Sequence, residues 1–302
     1  MRDGLDRTEA AALRALLALM RPLPLDARLR ALGALTLAAT RLAPPLRRRV
    51  DDNLRLVFPD RPEAERRRIR DQAARNAGAV LGTVFYAPEF GRTLDAVEVS
   101  GPGLAVLREA HEAGRGGLVV SGHFGRWEVA RFVLKHRGME AAGIYRVNNN
   151  PHYDPLFREG ISESGRPMVP KGRTGLRDLV RHLRGGGIVG MLVDQLDRTG
   201  PLLPFLGRPA RTPLTAAELA LKFAVPMVPA FCPVVDGRST VHYEAPIPPT
   251  DPETMMRRFN DRLGAWIRRH PEQWYWFHRR WKPTGKGWAA ERAAYDDAER
   301  GA

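Results

Sequence analysis

In the stretch Gly117-Leu118-Val119-Val120-Ser121-Gly122-His123-Phe124-Gly125-Arg126-Trp127-Glu128, a short apolar run stops at a glycine and a histidine and then enters a helix-like segment. Apolar runs of this length, bounded by turn signals, suit buried strands. Residues 117–121 therefore read as a strand and 127–136 as the helix that follows, with Gly122 and Gly125 easing a tight turn between them. In α/β sheets the C-terminal ends of strands are the usual place for active sites. His123 and Glu128 stand five positions apart across that turn. On one straight helix, at about 100° per residue, two such positions would point about 140° apart. They meet if His123 sits on the turn and Glu128 on the first helical turn. The imidazole can then remove a proton from a hydroxyl while the carboxylate holds its tautomer and stabilises the cation. The alternative is a histidine bonded to nearby backbone, with Glu128 on a solvated helix face. Spacing alone does not choose between them.

Outward from this stretch the same texture repeats. Residues 141–146, 168–171, 188–194, 226–232 and 240–244 read as short strands, with helical stretches at 174–183 and 213–223. Alternating strands and helices predict an α/β fold, a mixed, mostly parallel sheet flanked by helices. A further amphipathic helix spans 251–270, with Met255, Phe259, Leu263 and Trp266 on its apolar side. Residues 8–42 read as two helices broken at Pro22 and Pro24. Leu13, Leu16, Leu17 and Met20 form one apolar face, and Leu25, Leu29, Leu32 and Leu35 the other. Residues 62–86 are helical again. The N-terminal pair is either an interfacial hairpin lying on anionic lipid or a helical layer packed on the core. The expected organisation is an N-terminal helical, membrane-associating region over 1–90, an α/β catalytic domain over 91–283 and a polar, mobile tail over 284–302.

The charge is +14, from 48 basic and 34 acidic residues, and only five of the basic ones are lysine. Arginine in this excess follows either from nucleotide composition or from an anionic partner: a phospholipid surface, a phosphorylated glycolipid, an acidic carrier protein or nucleic acid. Arg47-Arg48-Arg49 and Arg66-Arg67-Arg68 read singly as solvated helix faces; beside the N-terminal helices they favour membrane contact. Trp274, Trp276, Arg279, Arg280 and Trp281 imitate a base-stacking surface, but no nucleic-acid-binding module accompanies them, so nucleic acid is set aside. No run reaches the roughly 18 apolar residues of a spanning helix. Residues 11–20 are interrupted by Arg14 and lack a secretory pattern. Peripheral attachment and a cytoplasmic body are expected. Cys232 is the sole cysteine and sits in an apolar run, which excludes an intrachain disulfide and suggests a core thiol.

Other chemistries find no support. The His–Glu spacing is not the two-histidine pattern of zinc proteases. No Gly-x-Ser-x-Gly elbow surrounds Ser121. Gly185-Gly186-Gly187 lies between a helix and a strand and reads as a turn.

The segment Ser121 to Glu128 resembles the His-x4-Asp/Glu signature of the glycerolipid acyltransferase superfamily, and in detail its lipid A biosynthesis branch of lauroyl and myristoyl enzymes. Further blocks match in order: Asn53-Leu54 with Phe58-Pro59, Tyr145-Arg146 with Asn150-Pro151, Asp194-Gln195, Pro204 to Gly207 with Thr212, and Trp274 to Lys282. The resemblance covers residues from about 10 to 283. It implies a glycerolipid-acyltransferase-like fold and transfer of an acyl chain from an acyl carrier protein thioester to a hydroxyl of a lipid A precursor. His123 would be the general base and Glu128 its orienting carboxylate. The oxyanion formed on attack needs a donor, for which Arg146, at a strand end, is the candidate. Asp194 and Gln195, also at a strand end, either shape the site or cap the next turn. No metal and no organic cofactor is required. The implied partners are the acidic acyl carrier protein, a phosphorylated glycolipid acceptor and an anionic membrane surface, at the cytoplasmic face of the bacterial inner membrane. The same chemistry on another acceptor, a phosphoglycolipid or lysophospholipid, is the alternative. Two departures from the family pattern stand out: Arg126 places a charge beside the dyad, and no clear hydrophobic anchor helix opens the chain.

Overall fold

Pro22 and Pro24 divide the N-terminal helical pattern as expected, because proline lacks the N–H that an interior helical turn donates. In the computed structural model, which describes residues 2–283 and Ala293, helix α1 (Arg2–Met20) ends before the two prolines and α2 (Leu25–Leu42) begins after them. The tail expected over 284–302 lies, Ala293 apart, outside the described residues. Helix α3 (Pro44–Val57) opens on proline, tolerated in a first turn, and α4 (Glu63–Phe85) and the short α5 (Ala87–Phe90) follow. Strands and helices then alternate: β1 (Glu98–Ser100), α6 (Gly103–Glu112), β2 (Gly117–Ser121), α7 (Glu128–His136), β3 (Ala141–Tyr145), α8 (Asp154–Glu163), β4 (Met168–Pro170), α9 (Arg173–Arg184) and β5 (Ile188–Leu192). A hairpin of β6 (Leu202–Phe205) and β7 (Arg208–Arg211) precedes α10 (Thr215–Phe223), β8 (Met227–Phe231), β9 (Val234–Val235), β10 (Arg238–Tyr243) and α11 (Pro252–Arg269).

The main sheet runs β1-β10-β8-β2-β5-β3-β4, with β9 against the outer part of β10. From β8 to β4 every pairing is parallel, whereas β10 is antiparallel to β8. The architecture is thus the mixed, mostly parallel sheet flanked by helices. Every residue of β2 and β8 is buried, as expected of parallel strands covered on both faces. Alternation along β2 sends Val120 into one core and Val119 into the other. The first core joins Leu37, Val50, Leu54 and Ile69 of the N-terminal helices to Val120, Phe259 and Trp276. The second, under α7, gathers Leu107, Phe132 and Val228.

The inner faces of the N-terminal helices therefore pack on the rest of the chain. Leu29 and Leu32 of α2 are buried, and α2 comes so close to α4 that a side chain at Gly78 would sit 2.4 Å from the Leu32 carbonyl oxygen. Their outer faces differ. Among the described residues, five of the eight most exposed large apolar side chains (Leu5, Leu19, Leu23, Leu35 and Leu42) fall within the first 42 positions. The β6–β7 hairpin escaped the sequence reading because Pro204 and Pro209 stand opposite each other in it, and proline argues against a strand except at an edge.

Candidate active site

Strands β2 and β5 are neighbours, and Ser121 pairs with Leu192 at their C-terminal ends. Two residues beyond each end come His123 and Asp194, so the sheet delivers them side by side. Gly122 leaves the room they need: a Cβ there would lie 3.0 Å from Asp194 Oδ2. Gly125 turns the loop in the left-handed region, φ +58°, where a Cβ would lie 1.9 Å from the Cys232 carbonyl oxygen. Only glycine fits such an approach to the end of β8.

The Asp194 carboxylate is fully buried. Its Oδ1 lies 2.8 Å from His123 Nδ1, and its Oδ2 accepts the His123 backbone N–H and the Trp274 indole N–H, each at 2.8 Å. Burial alone would raise its pKa, but the charge and hydrogen bonds of His123, with His278 behind, hold the carboxyl well below the usual carboxylate range. An ionised carboxylate only accepts, so His123 carries its hydrogen on Nδ1 and turns the Nε2 lone pair outward. Trp127 packs edge-on against the imidazole at 4.9 Å between ring centres, and Tyr275 lies 6.1 Å away. Nε2 is thus an acceptor for a hydroxyl proton, with a buried anion placed to stabilise the imidazolium that results.

The five-residue spacing predicts that Glu128 holds His123, and the geometry differs. Glu128 begins α7, and its Oε2 accepts from Arg131 Nη1 at 2.9 Å and from Ser164 Oγ at 2.6 Å. No described hydrogen bond joins it to His123. Asp194, 71 positions away in sequence, takes Nδ1 from the neighbouring strand instead. Arg131 is buried and also donates to the carbonyls of Ala141, Ile161 and Gly165 and to Ser164 Oγ. The Glu128–Arg131 pair lines a cavity on the sheet face, with Trp127, Gly143, Met168 and Gly190. It is small, about 40 Å³, and open to solvent.

Of the remaining expected site residues, only Gln195 reaches the imidazole: its Nε2 stands 3.3 Å from His123 Nε2. Arg146 is exposed and its guanidinium donates to Asn149 Oδ1 at 2.9 Å. Arg126 turns to Ser239 Oγ, 2.7 Å away, and lies over the Phe90 ring; burial lowers its pKa. No described contact brings either arginine to His123.

Trp274 and His278, given no part in the chemistry from sequence alone, both fall in the closing block. That block folds over the site. The Tyr275 N–H donates to the His123 carbonyl and the Gly125 N–H to the Gln273 carbonyl, both at 2.9 Å. Asn53 Nδ2 of α3 ties it down through the Trp276 and His278 carbonyls, each at 2.8 Å. Arg280, fully buried, donates to Thr212 Oγ1 at 2.8 Å. The Asn53, Thr212 and Trp274–Lys282 blocks, far apart in sequence, therefore hold one roof. His123, Asp194 and His278 each bring a ligand atom within 4.8 Å of the others, spacing that suits a metal ion. Both Asp194 oxygens accept N–H donors, and Gln195 bridges the two histidines. Cys232 is buried, and burial pushes its thiol well up, as befits an inert core thiol.

Comparison with known proteins gives the family. A lauroyltransferase of lipid A biosynthesis from Escherichia coli is 28% identical over 251 residues, covering 79% of each chain. A lipid A biosynthesis acyltransferase from Haemophilus influenzae is 30% identical over 245 residues, 76% of this chain and 75% of the relative. A phosphatidylinositol mannoside acyltransferase from Mycobacterium tuberculosis is 25% identical over 186 residues, 59% of this chain and 58% of the relative. The model of the bacterial lipid A biosynthesis acyltransferases matches residues 7–283, and with nearly its whole length so matched the chain belongs to that family.

Proposed function

We propose that the protein transfers an acyl chain from an acyl carrier protein thioester to a hydroxyl of a lipid A precursor, with His123 as general base and Asp194 as its orienting carboxylate. The observation that carries this reading is the pairing of His123 Nδ1 with buried Asp194, which leaves Nε2, faced by Gln195, as the ring nitrogen that takes the proton. In the reaction Nε2 removes the hydroxyl proton as the oxygen attacks the thioester carbonyl carbon. The carbonyl π pair moves onto oxygen. Collapse re-forms the C=O bond, breaks the C–S bond and sends the proton from imidazolium to the leaving thiolate. Glu128, to which the sequence spacing gave the orienting role, is assigned to the clasp with Arg131 and Ser164 beside the cavity. Net charge +14 suits both an acidic carrier protein and a phosphorylated acceptor.

The purified chain, mixed with acyl-loaded carrier protein and a panel of lipids, tests this by mass spectrometry, with the His123→Ala chain as blank. Acylated lipid A precursor is expected. No transfer to any lipid beyond the blank would sink the enzyme reading. A second acceptor enters the panel on a specific observation: one relative is named for acylating a phosphatidylinositol mannoside. Transfer to that lipid or to a lysophospholipid, and not to the precursor, would make a different phosphoglycolipid or phospholipid the substrate.

We further infer peripheral attachment at the cytoplasmic face of the inner membrane. No helix among the described residues is long and apolar enough to cross a membrane. The exposed leucines of α1 and α2 stand among exposed Arg14, Arg21, Arg30 and Arg41, a mixture suited to anionic interfaces. Flotation with vesicles containing anionic lipid should recover the protein, less so as salt rises. Leu19→Asp and Leu42→Asp should weaken the binding. Equal recovery with neutral vesicles and no effect of either substitution would refute the inference.

A further inference from the structure

Gln195 Nε2 stands 3.3 Å from two histidine nitrogens, Nε2 of His123 and Nε2 of His278. The acyl-transfer reading uses only the first histidine. Both nitrogens face the amide nitrogen, the donor end of the carboxamide. His123 has its hydrogen on Nδ1, engaged by Asp194. His278 is pushed down to about 3, first by burial and then by its neighbour His123, so its ring is neutral. A primary amide has two N–H donors, and one carboxamide satisfies both nitrogens only with its nitrogen facing them. The two imidazoles lie 4.6 Å apart and nearly perpendicular, and Tyr275 packs on the second at 4.7 Å. Gln195 itself is exposed. Its carboxamide therefore occupies the solvent-facing place at Nε2 that an incoming hydroxyl must take. At 3.3 Å both contacts are longer than the usual N–H donor distance of about 2.9–3.0 Å, which suits an exchangeable occupant.

We propose that Gln195, anchored by His278, holds the acceptor-hydroxyl position at His123 Nε2 before substrate arrives and, once displaced, donates the freed N–H to the thioester oxygen. This rests on the acyl-transfer reading for its second half. When the hydroxyl takes the lone pair of His123, the amide keeps its bond to His278 and pivots about it. The freed N–H then lies next to the attacking oxygen, where the carbonyl oxygen gains charge. Neither Arg146 nor Arg126 has a described contact there. Gln195 is the catalytic donor in this scheme. His278 is a positioning residue that acts through it and fixes which way the amide faces.

Two measurements on the full chain test the clamp. In ¹⁵N spectra of histidine-labelled protein, recorded above the ordinary imidazole titration range, the unprotonated His123 Nε2 of the parent should resonate upfield, as a nitrogen that accepts a hydrogen bond. In Gln195→Ala it should move downfield while the Nδ1–H signal stays. In steady-state kinetics with acyl-loaded carrier protein, Gln195→Ala should lower kcat by about 10²-fold, the loss typical of one oxyanion donor, with KM changed much less. His278→Phe keeps the ring's bulk and should lower kcat by a smaller factor. In the Gln195→Ala background it should cost nothing further, because the two act as one unit. An unchanged Nε2 signal in Gln195→Ala, a kcat within about threefold of the parent, or losses from the two substitutions that multiply would each overturn the proposal. The spectra need no substrate. A parent that transfers no acyl group yet shows the expected shift would therefore overturn the acyl-transfer reading and still support the clamp at Nε2.

Discussion

Asp194→Asn should lower kcat by about 10³–10⁴-fold without unfolding the protein, because it reverses the tautomer of His123. The two oxygens of Asp194 carry unequal loads. Oδ2 accepts two N–H groups, from the His123 backbone and from Trp274, whereas Oδ1 faces His123 Nδ1 alone. An asparagine has one acceptor oxygen and one donor nitrogen. The oxygen will take the doubly loaded place, since a reversed amide would set its own N–H groups against two buried donors. The NH₂ then faces His123 Nδ1, which must shed its hydrogen to accept. The ring's hydrogen moves to Nε2, the atom that has to receive a proton. Nitrogen NMR on histidine-labelled protein checks this directly: the N–H signal of His123 should be on Nδ1 in the parent and on Nε2 in the variant. A variant that keeps the Nδ1–H tautomer would remove the physical basis of the expected loss.

Arg131→Met should destabilise the fold by about 3–5 kcal/mol, the usual cost of leaving one partner of a buried ion pair uncompensated. The methionine stem still fills the space beside Gly190, where the Arg131 chain now passes 3.0 Å from the place of a Cβ. The lost groups are polar. Glu128 keeps only Ser164, and the carbonyls of Ala141, Ile161 and Gly165 lose the donor that ties α7 to α8 and β3. Denaturant unfolding measures the loss. Removing the stranded charge as well, in Arg131→Met with Glu128→Leu, should recover part of it, because an apolar pair avoids the desolvation cost of an unpaired carboxylate. A double variant no more stable than Arg131→Met would show that the lost carbonyl bonds, and not the charge of Glu128, set the cost.

Much of this molecule is legible in the sequence because its strands are short, apolar and punctuated. β2, β5 and β8 are buried on both faces, and an uninterrupted apolar run between glycines and prolines is how such strands look. α6 and α8, ten residues each, were not read from the sequence, and the β6–β7 hairpin escaped because of its two prolines. The site shows the sharper division. His123 was legible from its place on a turn after a strand. Its partner was not, because chain spacing ranks Glu128, five positions away, above Asp194. Strand order reverses that ranking: β2 and β5 lie side by side although α7, β3, α8, β4 and α9 intervene between them in sequence. The one available signal was that Asp194, like His123, falls two residues past a buried strand. For His278 the signal was its place in the closing block, but nothing there tells that it faces His123, since that depends on the roof that Asn53, Gln273 and Arg280 hold over the loop.

The most direct test of the account is turnover of acyl-loaded carrier protein with a lipid A precursor by Asp194→Asn beside Glu128→Gln and the parent. If Asp194 orients the base, Asp194→Asn falls by about 10³–10⁴-fold while remaining folded. If Asp194→Asn instead turns over within about tenfold of the parent and the loss falls on Glu128→Gln, the orienting carboxylate is Glu128 and the account is contradicted.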